Sequence, residues 1–419
     1  MTAEAAIYRA RWLIPARGPA MEDAAAVCLG GRIVRIGSWR DLEPHVGPND
    51  SVEHFPDACL LPAFINAHAH LGLSDLAGRF EPTSDFAGWI TRLVAKRLLR
   101  TKRGTRRAVR QGLDQGLSAG TVAGADVTPD AECDDGISQA DGRWDGRWTV
   151  FGEVVQFGRA GLRRLERTID ALENLAKTAP VAPGLSPHAP YSTGLEVFMA
   201  VRRAADERGW PVTTHLHETL DEIAFTERGE GTLYDLIKGY HLLPRDWRPA
   251  GVRPIRMLAE SGFFGGPVLV AHGNYLTDEE IAVLAASGSS VAYCPRSHAF
   301  FGHEAHPWRR LLAAGINVCL GTDSLASSPT LSILDEMRFL AARCPDADPR
   351  TILRMGTVRS AAALGLEGDF GDLGPGLAAA FCVAEPHAPT KDPLAAILAG
   401  PVPRIRLLRP KPEGPADRL

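Results

Sequence analysis

The sequence predicts an α/β chain: a (β/α)8 TIM barrel with a small discontinuous β-sandwich domain built from both termini. Three observations predict it. From about residue 62, apolar β-branched runs alternate with amphipathic helical stretches, and eight such runs can be counted, the number a barrel needs. Nearly every run ends in His, Asp or Glu, as in Asn66-Ala-His-Ala-His70, Val122-Ala-Gly-Ala-Asp126, Leu185-Ser-Pro-His188, Val212-Thr-Thr-His215, Leu269-Val-Ala-His272 and Val318-Cys-Leu-Gly-Thr-Asp323. A barrel gathers its strand ends at one point, whereas a doubly wound sheet does not gather all of them. Both ends of the chain read as short strands and turns without chemical residues. They suit a composite β-domain of residues 1–61 and 372–419, with the barrel over 62–371.

Taken in order, residues 6–13 read as a strand, and residues 24–29 and 32–36 flank Gly30-Gly31, a two-residue hairpin signal. The barrel strands end near His70, Asp126, Glu153, His188, His215, His272, Arg296 and Asp323. Helical patterns fall between them at 86–116, 131–140, 162–177, 195–208, 221–240, 278–287, 307–314 and 330–343. Thr277-Asp-Glu-Glu280 is a capping box, and Gly209, Gly288 and Gly315 are stop signals. A helix over 349–366 leads into the turn cluster from Gly368 to Gly376, a strand at 377–384, a loop and helix at 386–399 and a last strand at 405–408. Residues 409–419 are rich in proline and charge and read as a frayed end.

Composition narrows the function. The 419 residues are 45% hydrophobic and 23% charged, as expected of a globular chain with one large and one smaller domain. A formal charge of −4 and a pI of about 6.4 give no electrostatic case for nucleic acid. The basic cluster from Arg100 to Arg110 lies in a helical pattern and reads as a solvated face. Seven cysteines, at 28, 59, 133, 294, 319, 344 and 382, show no CxxC spacing, which argues for reduced thiols and a cytoplasmic location. No signal peptide is read at the N-terminus. No apolar run reaches the roughly 18 residues of a membrane span. The partner expected is a small-molecule substrate, with no membrane and no nucleic acid.

The chemistry starts at His68 and His70. On a strand, residues i and i+2 share a face, so the two imidazoles aim at one point. Alone, such a pair more often marks two hydrogen-bonded polar residues than a metal site. With His215 and Asp323 it becomes three nitrogens and a carboxylate, a set that suits one divalent metal and a water. Such an ion would lower the water's pKa toward neutrality. His272 would sit beside it as a hydrogen-bonding partner. Glu218, three residues after His215, could carry a proton to the substrate's ring nitrogen or leaving group. His217 competes with His215, since both could face inward. His188 sits at a strand end, its loop fixed by Pro187 and Pro190, and is a candidate substrate contact. Arg296 is another. Trp89 could stack on a flat base, although an aromatic residue at helical spacing usually belongs to a core. His298, His303 and His306 fit no single regular face and read as loop residues.

The motifs Pro62-Ala-Phe-Ile-Asn-Ala-His-Ala-His70, His215-Leu-His-Glu-Thr219, Ala271-His-Gly-Asn-Tyr-Leu-Thr-Asp-Glu-Glu-Ile281 and Gly321-Thr-Asp-Ser324 resemble those of the amidohydrolase superfamily. The match is to its mononuclear branch of purine and pyrimidine deaminases and chlorohydrolases. By that resemblance His68, His70, His215 and Asp323 are ligands of one zinc ion, with iron as the alternative. Asp323 also accepts the water's proton, His272 orients the water and Glu218 is the proton shuttle. Only His215 places Glu218 at the family spacing. The fourth barrel strand ends in Ser186-Pro-His-Ala-Pro190, without the bridging lysine of binuclear members, which favours one metal. The stretch from Ser290 to Ser324, with Tyr293-Cys-Pro-Arg-Ser-His-Ala-Phe-Phe301 and Leu320-Gly-Thr-Asp-Ser-Leu-Ala-Ser-Ser328, resembles aminodeoxyfutalosine deaminases and the adenosine and S-adenosylhomocysteine deaminases. There the histidine matching His188 contacts substrate. Many relatives carry an acid where this chain has Gly72, and relatives are often homodimers, an analogy only. The activity implied is deamination of a purine-like heterocycle or nucleoside. Dechlorination or cyclic-amide hydrolysis on the same metal site is the first alternative, and a non-catalytic ligand-binding barrel the second.

Overall fold

A computed structural model describes residues 4–129, 131, 133, 137, 147–386, 390–401 and 403–409. Along the chain the strands are β1 (Ala6–Leu13), β2 (Met21–Leu29), β3 (Arg32–Ser38), β4 (Ser51–Pro62), β5 (Phe64–Ala69), β6 (Thr121–Thr128), β7 (Trp148–Val154), β8 (Val181–Pro187), β9 (Thr213–Leu216), β10 (Leu269–His272), β11 (Ser290–Tyr293), β12 (Asn317–Leu320), β13 (Phe381–Glu385) and β14 (Arg404–Leu408). The chain divides into two compact units, one of Met1–Asn66, Gln115–Ala123 and Ser332–Leu419, the other of Ala67–Asp114 and Gly124–Leu331.

The first unit holds a six-stranded sheet in the order β14-β13-β4-β1-β2-β3, so both chain ends contribute to it. Gly30 and Gly31, at φ 54° and 74°, turn β2 into β3, a conformation that glycine adopts without steric cost. β4, which the sequence reading does not single out, is central: it pairs parallel with β1 and antiparallel with β13. Tyr8, Leu13, Ile33, Leu60 and Phe381 pack into its core. The N–H of Ala16 donates to Asp372 Oδ1 at 2.7 Å and that of Ile33 to Leu377 O at 2.8 Å, tying the two ends together.

The eight parallel strands expected for the barrel are all present. They lie in two four-stranded sheets, β5-β6-β7-β8 and β9-β10-β11-β12. The ladder is not continuous around the ring. At the seams, isolated bridges join Ala69 to Asp323 and Leu185 to Val212, and main-chain bonds run from Thr322 and Asp323 N–H to His68 O and from His215 N–H to His188 O. β9, β10 and β12 each span four residues and, one edge position apart, are buried. That matches the continuous apolar reading of strands covered on both faces.

Several helices are shorter than their patterns predict. The 86–116 stretch is two helices, Phe86–Leu98 and Lys102–Ser118, because Thr101 Oγ1 accepts the Gly104 N–H and starts a new one. The 221–240 stretch splits into Leu220–Arg228 and Thr232–Gly239, with Gly229 and Gly231 left-handed between them. The 349–366 stretch splits into Pro349–Met355 and Val358–Ala363. β11 ends at Tyr293, so Arg296 stands in the helix Pro295–Phe300 and not at a strand end. The 131–140 expectation lies largely outside the described residues, as does the end from residue 410. No helix among the described residues is long and apolar enough to cross a membrane.

Candidate metal centre

His68 is the fifth residue of β5 and His70 directly follows the strand, so both rings reach the same side. Their centroids are 4.9 Å apart. His215, the third residue of β9, completes a cluster in which one donor atom from each histidine lies within 4.8 Å of the others. Asp323, three residues beyond β12, places Oδ1 3.5 Å from His70 Nε2 and 3.9 Å from His68 Nε2. Its close approach requires Gly321, where a Cβ would lie 2.7 Å from His68 Cβ.

The donor set fits a metal ion. His70 Nδ1 lies 2.8 Å from Val127 O, so Nδ1–H donates there and Nε2 presents its lone pair. His70 Nε2 and His215 Nε2 are 3.3 Å apart. Two nitrogens bound at about 2.05 Å to one tetrahedral ion stand roughly 3.3 Å apart. Burial, with neighbouring imidazoles, holds His68 and His215 well below the ordinary histidine range, which is the neutral state a ligand needs. Asp323 Oδ2 faces away and accepts hydroxyl protons from Ser297 and Ser327, each at 2.6 Å.

Glu218 stands beside this cluster. Burial, then the nearby Asp323 charge, pushes its carboxyl well above the usual range, a shift that favours the protonated form. Its Oε1 is 3.5 Å from His272 Nε2. The main chain around it is clamped. The N–H groups of His217 and Glu218 donate to the two oxygens of Glu222, each at 2.9 Å, and Asn274 Nδ2 donates to Glu218 O at 2.8 Å. Glu222 is fully buried, and burial outweighs those two bonds to bring its carboxyl up to about 8. His272 is held below the ordinary range by burial and by His215, and its carbonyl lies 2.8 Å from His306 Nε2. His217, His272 and Asp323 all have left-handed φ, at 52°, 70° and 58°, a strained choice for non-glycine residues.

The other candidates divide. His215 points into the cluster. His217 points out, with Nδ1 3.2 Å from Tyr275 O and Nε2 3.5 Å from Glu280 Oε1. His188 lies next to the cluster, its ring 4.8 Å from that of His215. Trp89 does not join it. The indole packs among Phe80, Phe86 and Phe301 and donates its N–H to Ala326 O at 3.3 Å. Arg296 gives its guanidinium to Thr330, at 2.9 Å to the hydroxyl and 2.7 Å to the carbonyl. His306 stacks on Tyr293 at 3.8 Å, and His303 Nδ1 meets the Tyr275 hydroxyl at 3.0 Å. At Gly72 a Cβ would make ordinary contact with Thr105 at 3.7 Å. Sequence reasoning gives no role to Glu153, Glu222, Asn274, Ser297 or Ser327. Glu222 carries a signal in the Thr219-Leu-Asp-Glu222 capping pattern, and Glu153 in closing an apolar run.

Comparison with known proteins follows the same lines. The amidohydrolase family model matches residues 59–405. The 5-methylthioadenosine/S-adenosylhomocysteine deaminase of Thermococcus onnurineus is 38% identical over 189 residues, a match covering 43% of this chain and 40% of that protein's length. An adenosine deaminase from Xanthomonas campestris, solved with bound zinc, superposes with a TM-score of 0.80 at 24% identity, covering 94% of this chain and 88% of its own. The Helicobacter pylori aminofutalosine deaminase, solved with methylthio-coformycin, gives a TM-score of 0.80 at 21% identity, covering 94% and 95%. At these identities the two structures establish the fold.

Proposed function

This chain belongs to the amidohydrolase family, and on that premise we propose that it is a metal-dependent aminohydrolase. Its substrate in this reading is a purine-like heterocycle carried by an adenosine- or aminodeoxyfutalosine-type nucleoside, and its products are the oxo compound and ammonia. One observation carries the reading: three clustered imidazoles and the carboxyls of Asp323 and Glu218 meet at the strand ends. His68, His70, His215 and Asp323 would hold one divalent ion, zinc in this proposal, and metal analysis separates zinc from iron. Bound there, the ion supplies Lewis-acid chemistry that brings a water's pKa near neutrality.

The chain's own groups do the rest. Asp323 Oδ1 faces the histidine nitrogens and takes the proton of the attacking water. His272 Nε2, between Glu218 and the cluster, orients that water. Glu218 delivers its proton to the ring nitrogen beside the amino-bearing carbon, which makes that carbon electrophilic. The proton held by Asp323 then passes to the amino nitrogen, the carbon–nitrogen bond breaks and ammonia leaves, while the water's oxygen stays on the carbon as the oxo group. The name of the Thermococcus onnurineus relative and that of the Helicobacter pylori neighbour support the substrate class.

Glu218→Gln tests it. The variant should keep its metal and lose ammonia release from adenosine-type nucleosides by about 10²–10⁴-fold, the span of general acid–base catalysis. Full turnover in a metal-loaded Glu218→Gln protein would remove the shuttle from the proposal.

A further inference from the structure

The chemistry above leaves unused the turn between the helices Phe86–Leu98 and Lys102–Ser118. Leu98 and Leu99 stand at that turn 81% and 87% exposed, and Val94, one helical turn earlier, is 47% exposed. Among the described residues no other large apolar side chain exceeds 61%. Single exposed apolar residues are ordinary on a protein surface, but here two adjacent leucines stand almost wholly in solvent.

The charge around them has one sign. Between Asp85 and Asp114 the sequence carries nine lysines and arginines and no acid, on a chain whose formal charge is −4. Arg92, Lys96, Lys102, Arg103 and Arg107 are exposed, while Arg100 is mostly buried and paired with Asp75. Arg92 and Lys96, Lys102 and Arg106, and Arg103 and Arg107 fall four residues apart on their helices, a spacing at which like charges repel. Interspersed acids would relieve that repulsion, and the stretch has none. His70, Gly72, Arg97 and Arg100 line a common hollow, so the base of this hairpin adjoins the metal centre.

We infer that the turn docks the protein on an anionic lipid surface. An anionic leaflet attracts clustered Lys and Arg, and leucines set among them enter the boundary between headgroups and acyl chains. The phosphates of a nucleic acid would satisfy the cations and leave Leu98 and Leu99 in water. The charges alone read as a solvated face, and the two leucines separate the readings. The contact is peripheral, since no helix among the described residues is long and apolar enough to cross a membrane.

Co-sedimentation of the full chain with vesicles tests this. Vesicles of equal parts phosphatidylglycerol and phosphatidylcholine should bind the protein at least about 10-fold more tightly than phosphatidylcholine alone, and added salt should weaken the binding. Arg103→Gln with Arg107→Gln should weaken it roughly 25-fold, at about fivefold per cation. Leu98→Ser with Leu99→Ser should weaken it at least about 10-fold through lost apolar burial, with thermal unfolding unchanged in both variants. No binding to the anionic vesicles, or full binding by the leucine variant, would overturn the inference. So would equally tight binding of duplex DNA that the arginine variant loses and the leucine variant keeps, since the surface would then be a nucleic-acid site. A dimer in analytical sedimentation that the leucine variant dissociates would also overturn it, because a second copy would then cover the leucines. The readout is binding and not ammonia release, so its outcome stands apart from the proposed activity.

Discussion

In the sheet built from both chain ends, the core cluster around Phe381 is almost entirely aliphatic or aromatic, with Tyr8, Leu13, Ile33 and Leu60 as members. At the ends of the eight parallel strands, His68, His215, Glu218, His272 and Asp323 are buried to a similar degree and are all polar. The two regions also differ in backbone. The sheet's left-handed non-glycine residue among those described is Asp23, held by Arg9, whereas the strand ends place His217, His272 and Asp323 there. Burying polar groups and straining the chain both cost free energy. The sheet shows what this sequence does when only stability is at stake, and the strand ends show where stability is surrendered to hold buried polar groups in place.

The comparison can be broken most severely at His215. His215→Ala removes one of three clustered imidazoles. It should cost at least about 10³-fold in kcat/KM, more than ~4 kcal/mol of transition-state stabilisation, and lower the bound metal measured by elemental analysis, with far-ultraviolet dichroism unchanged. Phe381→Ala tests the other side. The ring is fully buried and lies 5.5 Å from that of Tyr8, so its loss should cost about 3–5 kcal/mol in denaturant unfolding and leave kcat/KM per folded molecule unchanged.

Glu222→Gln joins the two regimes with the smallest effect. The folded carboxyl sits at about 8 against an ordinary 4.5. Between those values the folded chain keeps a proton that the unfolded chain has released. Stability from this group is therefore present at low pH and falls as pH rises from 4.5 to about 8. The variant should flatten that fall in urea midpoints measured across the range, and should lower kcat about 10-fold, roughly 1.4 kcal/mol, by loosening the clamp on Glu218. An unchanged pH slope would show that Glu222 is ionised in the folded protein.

Much of this was legible in the residues, for a physical reason. Strand ends announce themselves because an apolar run stops at a polar residue, and the HxH, HxxE and Gly-Thr-Asp spacings survive in one dimension. The surroundings of Arg296 and Trp89 were hidden for the opposite reason. Strand β11 stops at Tyr293 and a proline starts a helix, and no local pattern tells a stacking tryptophan from a core one. The supports of the site were hidden. Ser297 and Ser327 reach Asp323 from separate loops, and Glu153 looks in sequence like any polar residue closing a strand.

The carbonyl of His68 receives the N–H groups of Thr322 and Asp323, while its ring belongs to the histidine cluster. One residue thus serves as masonry through its main chain and as a tool through its side chain. Mutation exchanges only the tool. The joint between first and last barrel strands is made by main-chain groups, while the buried ring beside Gly321 limits which side chains could replace it.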